Sequence, residues 1–415
     1  MGMRWGAVVL GVVMALSLAR VAGAQEQTSK DQELETIKKR LEALEQERNA
    51  DKAATEDHGA GLAEEKWYDR VKVGGGVRAA FRSMEDAAAN GRNYSYDMDL
   101  DSGRLYTGGK ITDTISATLN AEFTGGVSVL DAIAQFKFQD EFNIFVGRHL
   151  PACDRSDSDG PYYLIAWDYP ELSVNFNPAT NGFGRDDGVT FWGDVQNFKY
   201  WVGAYEGQDP GTPTNVSDHL LYAFRVQYNF WDAEKGYYLS STYHGEKSIL
   251  ALGMALNYQS AVEGVAGDTK AALNFVIDAL FEKKLEFGTP TLEAAYYLYK
   301  RGGYGGAGAL PDLGEGTGFM VTAAFLLPQK IGWGQFQPFL RYQVFTEVDD
   351  DPTAAAPKNP VQDDFERVDF GVNYVMKGHD ARISVVYSTI TNDTGSGPGS
   401  HAVDHLFTIG TQVQF

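Results

Sequence analysis

The chain has 415 residues, 43% of them hydrophobic, with 46 glycines, 22 tyrosines, 24 phenylalanines and a formal net charge of −21. After the first 24 residues no apolar run approaches the ~20 residues of a membrane-crossing helix, so any crossing of a bilayer is made by strands. The acidic balance argues against nucleic acid and anionic lipid, which reward clustered Lys and Arg, and the single cysteine, Cys153, allows no intramolecular disulfide.

The first segment reads as a secretory signal. Arg4 precedes an apolar stretch from Trp5 to Ala19, and Ala22-Gly23-Ala24 offers a small-residue cleavage site before Gln25. Residues 1–24 are therefore expected to leave on export. Residues 25–66 are rich in Glu, Lys, Gln and Ala, and Leu34, Ile37, Leu41 and Leu44 recur at 3-4-3 spacing with charges between them. That spacing predicts an α-helical coiled-coil segment on the periplasmic side. Arg48 breaks the next core position, and so short a helix needs other copies to be stable.

From Val71 the period changes to 2. Val71, Val73, Val77, Ala79 and Phe81 alternate with Lys72, Gly74, Gly76, Arg78 and Arg82, as expected where one face meets lipid and the other water. Sixteen such segments follow, beginning near residues 71, 97, 113, 128, 142, 186, 198, 219, 248, 271, 291, 317, 335, 367, 381 and 404. The fold class expected for 67–415 is all-β, a 16-stranded antiparallel transmembrane barrel. Tight polar turns at Gln139-Asp140-Glu141, Gln196-Asn197 and Lys377-Gly378-His379-Asp380 alternate with longer stretches rich in Gly, Asp and Pro. Tyr237 to Tyr243 also alternates, but counting it gives an odd strand total and inverts every later loop. Trp231 to Lys247 is therefore read as an extended connector on the short-turn side. The last strand ends in Phe415, which resembles the signal read by the barrel assembly machinery of bacterial outer membranes.

The longest insertion, about residues 149–185, lies between the fifth and sixth segments and mixes Tyr162, Tyr163, Leu164, Ile165, Trp167 and Tyr169 with charges. A loop this long is usually functional, and its apolar surface predicts packing inside the lumen. Its sequence GRHLPACDRSDSDGPYYLIAWDYP, followed by GRDDGVTFWG and LFEKKLEFGTPTLEAAYYLY, resembles porins of the phosphate-selective O and P type. A looser similarity extends to porins encoded beside selenite- and tellurite-reduction proteins. The resemblance implies a homotrimer of sixteen-stranded barrels, each narrowed by an inward loop after the fifth strand. The family's arginine ladder and lysine-lined constriction have no residue-by-residue counterpart here.

By alternation the inward basic residues are Lys72, Arg78, Arg82, Lys137, Lys199, Arg225, Arg301, Arg341 and Arg382. The inward acidic ones are Asp97, Asp99, Asp101, Glu122, Asp131, Asp194, Asp278, Glu282, Glu293 and Asp369. Rings of one sign create strong ion preference, and this lumen is mixed. In the loop, Tyr162, Tyr163 and Trp167 are expected to pack against the wall. Arg155 and Arg185, with Arg78, Arg82 and Arg225 of the wall, are expected to meet anions, and Asp154, Asp157 and Asp159 cations, with Asp168 among the constriction charges.

A calcium loop at Asp157-Ser158-Asp159-Gly160 fails because Arg155 holds the first-ligand position and Ala166 the place of the bidentate Glu. No nucleophile motif or metal spacing unites the seven His and many Ser, so neither an enzyme, a metal site nor a cofactor is expected. The sequence thus points to a passive outer-membrane porin, with self, outer-membrane lipid, the assembly machinery and small inorganic ions as partners. A barrel sheath or tether for a redox or periplasmic partner is the alternative.

Overall fold

The computed structural model describes residues 70–85, 92–174, 184–207, 219–265, 268–300, 315–347, 364–393 and 401–415. The expected signal, the coiled-coil segment and Arg301 lie outside the described residues. The strands are β1 Val71–Met84, β2 Asp97–Lys110, β3 Ile115–Glu122, β4 Ser128–Gln139, β5 Phe142–His149, β6 Asp186–Val195, β7 Phe198–Tyr205 and β8 Leu221–Asn229. They continue as β9 Ile249–Val265, β10 Asp268–Glu282, β11 Thr289–Lys300, β12 Gly316–Leu326, β13 Gln335–Glu347, β14 Phe365–Lys377, β15 Ala381–Asp393 and β16 His401–Gln414.

Each strand pairs antiparallel with the next, and β16 returns to β1 in a register running from Gly76 opposite Gln414 to Met84 opposite Leu406. Closure leaves no edge with unpaired backbone groups, the condition for strands in a bilayer. The expected starting points hold: the widest gaps are at β10, expected near 271 and beginning at Asp268, and at β16, expected near 404 and beginning at His401. β9 and β10 run further toward one another than the sequence suggested, so only residues 266 and 267 separate them.

Alternation sorts the side chains as a membrane barrel requires. On β11, Leu292 and Tyr296 are exposed outward while Glu293, Tyr297 and Tyr299 are buried inward; on β14, Phe370 and Val372 face out while Asp369 and Asn373 are buried. A water-soluble sandwich would reverse this arrangement. Tight turns at one end include Gln196 in the left-handed region at φ 57°. At that same end Trp231 to Lys247 forms no strand, as parity required. It does more than connect, because Glu234, Tyr237 and Leu239 are buried in contact with the loop that follows β5.

A candidate permeation path

The loop after β5 carries two short helices, α1 Arg155–Asp159 and α2 Glu171–Val174, and long polar side chains from nearly every quarter of the wall reach it. Arg155, 1% exposed, donates two 2.8 Å bonds to the Glu234 carboxylate of the connector and one of 2.9 Å to the Ser240 carbonyl. Its own backbone N–H donates to Asp278 of β10 at 3.2 Å. Arg225 of β8 donates to both oxygens of Asp278, at 2.6 and 2.8 Å, and to the Cys153 carbonyl at 3.0 Å. The loop, the connector and the wall therefore share one buried network. On the far side Arg382 of β15 donates to the carbonyls of Leu164 and Ile165, and Asn373 of β14 donates to Ile165 at 2.8 Å.

Aromatic side chains of the loop pack on the wall. The Trp167 indole N–H donates to Asp101 at 2.7 Å, and the Arg78 guanidinium lies 4.1 Å above its ring. Tyr162 donates from its hydroxyl to Ser102 at 3.1 Å. Glycines on the wall make room for both rings: a Cβ at Gly76 would lie 2.7 Å from Tyr162, and one at Gly410 2.5 Å from Trp167. Tyr163 sits nearer the turn end, its ring centroid 4.7 Å from that of His379.

Several expected solute contacts are instead internal. Arg78, Arg155 and Arg225 are buried and hold carbonyls or carboxylates of the loop and wall, so they anchor the loop and do not present free charge to a passing anion. Asp154, Asp157 and Asp159 are also buried and do not meet passing cations as expected. Asp154 accepts from Tyr297 at 2.8 Å and Asp159 accepts from Ser241. Burial raises the proton affinity of all three, and the neighbouring Asp154 carboxylate raises that of Asp157 further. Cys153, Asp154 and Asp157 bring ligand-type atoms within 4.8 Å of one another, a grouping that sequence spacing alone did not single out.

Part of the inward face of β2 to β4 reaches water. Inward groups of β7 to β16, such as Lys199, Asn257, Asn274, Arg341 and Asp369, are buried beneath the loop and connector. On β2 to β4 Ser102, Glu122 and Asp131 are buried as well, but the Asp99 side chain is 42% exposed and Tyr106, Ser116, Thr118, Asn120 and Gln135 are half-buried. Two ion pairs bridge loop and wall beside this face. Arg82 of β1 reaches Asp168 at 3.1 Å while also holding Asp99 and Asp101, and Arg185 reaches Asp131 of β4 at 3.4 Å. Arg367 of β14 ties Asp168 and Glu171 at 3.3 and 2.8 Å. Toward the turn end, a cavity of about 510 Å³ opens between this wall, the loop and Tyr238 of the connector.

Two basic residues near this path were absent from the inward set. Arg104 pairs with Glu122 at 2.9 Å. Strict alternation from Asp97 turns Arg104 outward, but a bulge opposite Arg78 and Ala79 shifts the phase of β2 after Asp101 and brings Ser102, Arg104 and Tyr106 inward. Arg367 needed no such correction, because the alternation that turns Asp369 inward also places Arg367. Among the expected inward lysines, Lys137 stands 65% exposed beside Asp140 at the turn end and Lys72 is likewise exposed. Phe415 completes the seam, donating from its N–H to the Gly75 carbonyl at 2.9 Å and accepting from the Gly75 N–H at 3.1 Å.

The fold is that of the solved outer-membrane porins. OmpF of Salmonella typhi, solved with daunomycin, superposes with a TM-score of 0.53 at 11% identity, over 83% of this chain and 97% of that one. The outer membrane channel DcaP of Acinetobacter baumannii gives 0.52 at 13% identity over the same shares, and OprB of Pseudomonas putida 0.54 at 8% over 83% and 94%. No protein-family model and no curated protein matches the sequence.

Proposed function

We propose that this chain is a passive pore of a bacterial outer membrane, open to small hydrophilic solutes and ions, inorganic oxyanions such as phosphate, selenite or tellurite among them. One observation carries the reading. A closed barrel holds an inward loop that buries the polar groups of most of the wall yet leaves Asp99, Tyr106, Ser116, Thr118, Asn120 and Gln135 of β2 to β4 in partial contact with water. Arg82 and Arg185 are held by carboxylates on that face, so the path mixes both signs and supports weak ion preference over a phosphate-specific ladder. The likeness to an outer membrane channel supports the same role. In this reading three copies assemble, the barrel assembly machinery acts on the strand ending at Phe415, and the segment before residue 67 stands in the periplasm. A sheath around a second protein fits less well, because the loop and connector occupy the lumen such a partner would need.

Planar-bilayer recording of the purified protein tests the proposal. Stepwise conductance in KCl, grouped in threes, with a small reversal potential in asymmetric salt and partial block by phosphate or selenite is the expected result. Folded protein that inserts and carries no current would overturn it.

A further inference from the structure

The cavity of about 510 Å³ between the loop and the β2–β4 wall falls within the ~300–1,000 Å³ range of organic-ligand sites and is far larger than an inorganic oxyanion requires. Its charges are matched in place. Arg104 is held by Glu122 at 2.9 Å, Arg185 by Asp131 at 3.4 Å, and Asp380 by Lys377 at 3.0 Å. Asp159 accepts from the Ser241 hydroxyl, and burial raises its proton affinity. The lining therefore offers many hydrogen-bond donors and acceptors with little net field, so an ion gains little there. Asn120 adds one more amide, and Tyr106, Tyr163 and Tyr238 supply aromatic surface.

We propose that this cavity is a subsite for a small neutral polyhydroxylated solute, a sugar or polyol, whose hydroxyls bond to the paired polar groups and whose C–H face lies on the tyrosines. The inference rests on the pore reading and names a solute class for the same path. Paired charges suit such a ligand because each hydroxyl both donates and accepts, and aromatic rings cover the apolar face that hydroxyls leave bare.

Proteoliposomes carrying the full chain, with uptake of labelled glucose and mannitol measured across a concentration series, test it. Saturable uptake is expected. Tyr238→Ala and Asn120→Ala should each raise the half-saturating concentration about tenfold, the loss of one good contact, whereas Tyr238→Phe should preserve it. Retained heat-modifiable mobility identifies variants that still fold. Uptake that rises linearly in the wild type, or saturation that neither alanine variant alters, would overturn the subsite while KCl conductance leaves the pore standing. Saturation by phosphate in place of glucose would likewise overturn the solute class. Absence of KCl conductance would overturn the pore and the subsite together.

Discussion

Arg155 of the inward loop and Glu234 of the connector meet in a two-pronged ion pair, both side chains 1% exposed, so segments from opposite ends of the barrel fasten one another inside the lumen. Removing Arg155 strands the buried Glu234 carboxylate without its cation, while Asp278 keeps Arg225. Arg155→Ala should therefore loosen the loop at a cost of about 3–5 kcal/mol. In bilayers this should appear as larger and noisier single-channel currents, with faster proteolysis of the loop. Arg155→Met combined with Glu234→Gln should recover part of that loss, since no buried charge remains unpaired between them. A single variant with wild-type currents and proteolysis would refute the fastening role.

Acid should release the same contact. Burial raises the proton affinity of Glu234, but Arg155 more than compensates and brings its pKa to about 2. A depressed carboxylate stabilises the fold fully above its unfolded value near 4.5 and loses that contribution as pH falls toward 2. About 3 kcal/mol is at stake by linkage. Channel noise should rise between about pH 4 and pH 2, and Glu234→Gln should remove that transition. Currents insensitive to acid in this window would contradict the assignment.

The glycine opposite Trp167 gives a packing test. Gly410→Ala places a Cβ 2.5 Å from the indole, so the ring must move or the strand must bend, an overpacking cost of about 1–3 kcal/mol. Lower thermal stability with altered conductance is expected, measured by loss of heat-modifiable mobility and by single-channel recording. A variant identical to wild type in both would show that Trp167 does not bear on this wall.

Much of the barrel was legible because lipid and water impose a two-residue period on every strand, and parity then decided that Tyr237 to Tyr243 is no strand. What alternation could not reveal is where polar groups find partners. Arg155 and Arg225 have the composition of pore-lining cations, yet their contacts with Glu234, Asp278 and Cys153 depend on two segments meeting inside the lumen, far apart in sequence. Arg104 was hidden for a local reason, the bulge that changes phase within β2. The cavity escaped notice because its walls come from β2 to β4, the loop, the connector and the chain end together.

In the proposed pore the conducting path follows the β2–β4 wall. Cys153 is buried, so a Cys153→Ser background is suited to placing single thiols elsewhere in the lumen. Asn120→Cys on β3 and Asn274→Cys on β10 should then differ when a charged methanethiosulfonate reagent is added to open channels. Rapid modification and a stepwise fall in current are expected at position 120, with none at position 274. Equal modification at both, or modification at 274 alone, would contradict this path.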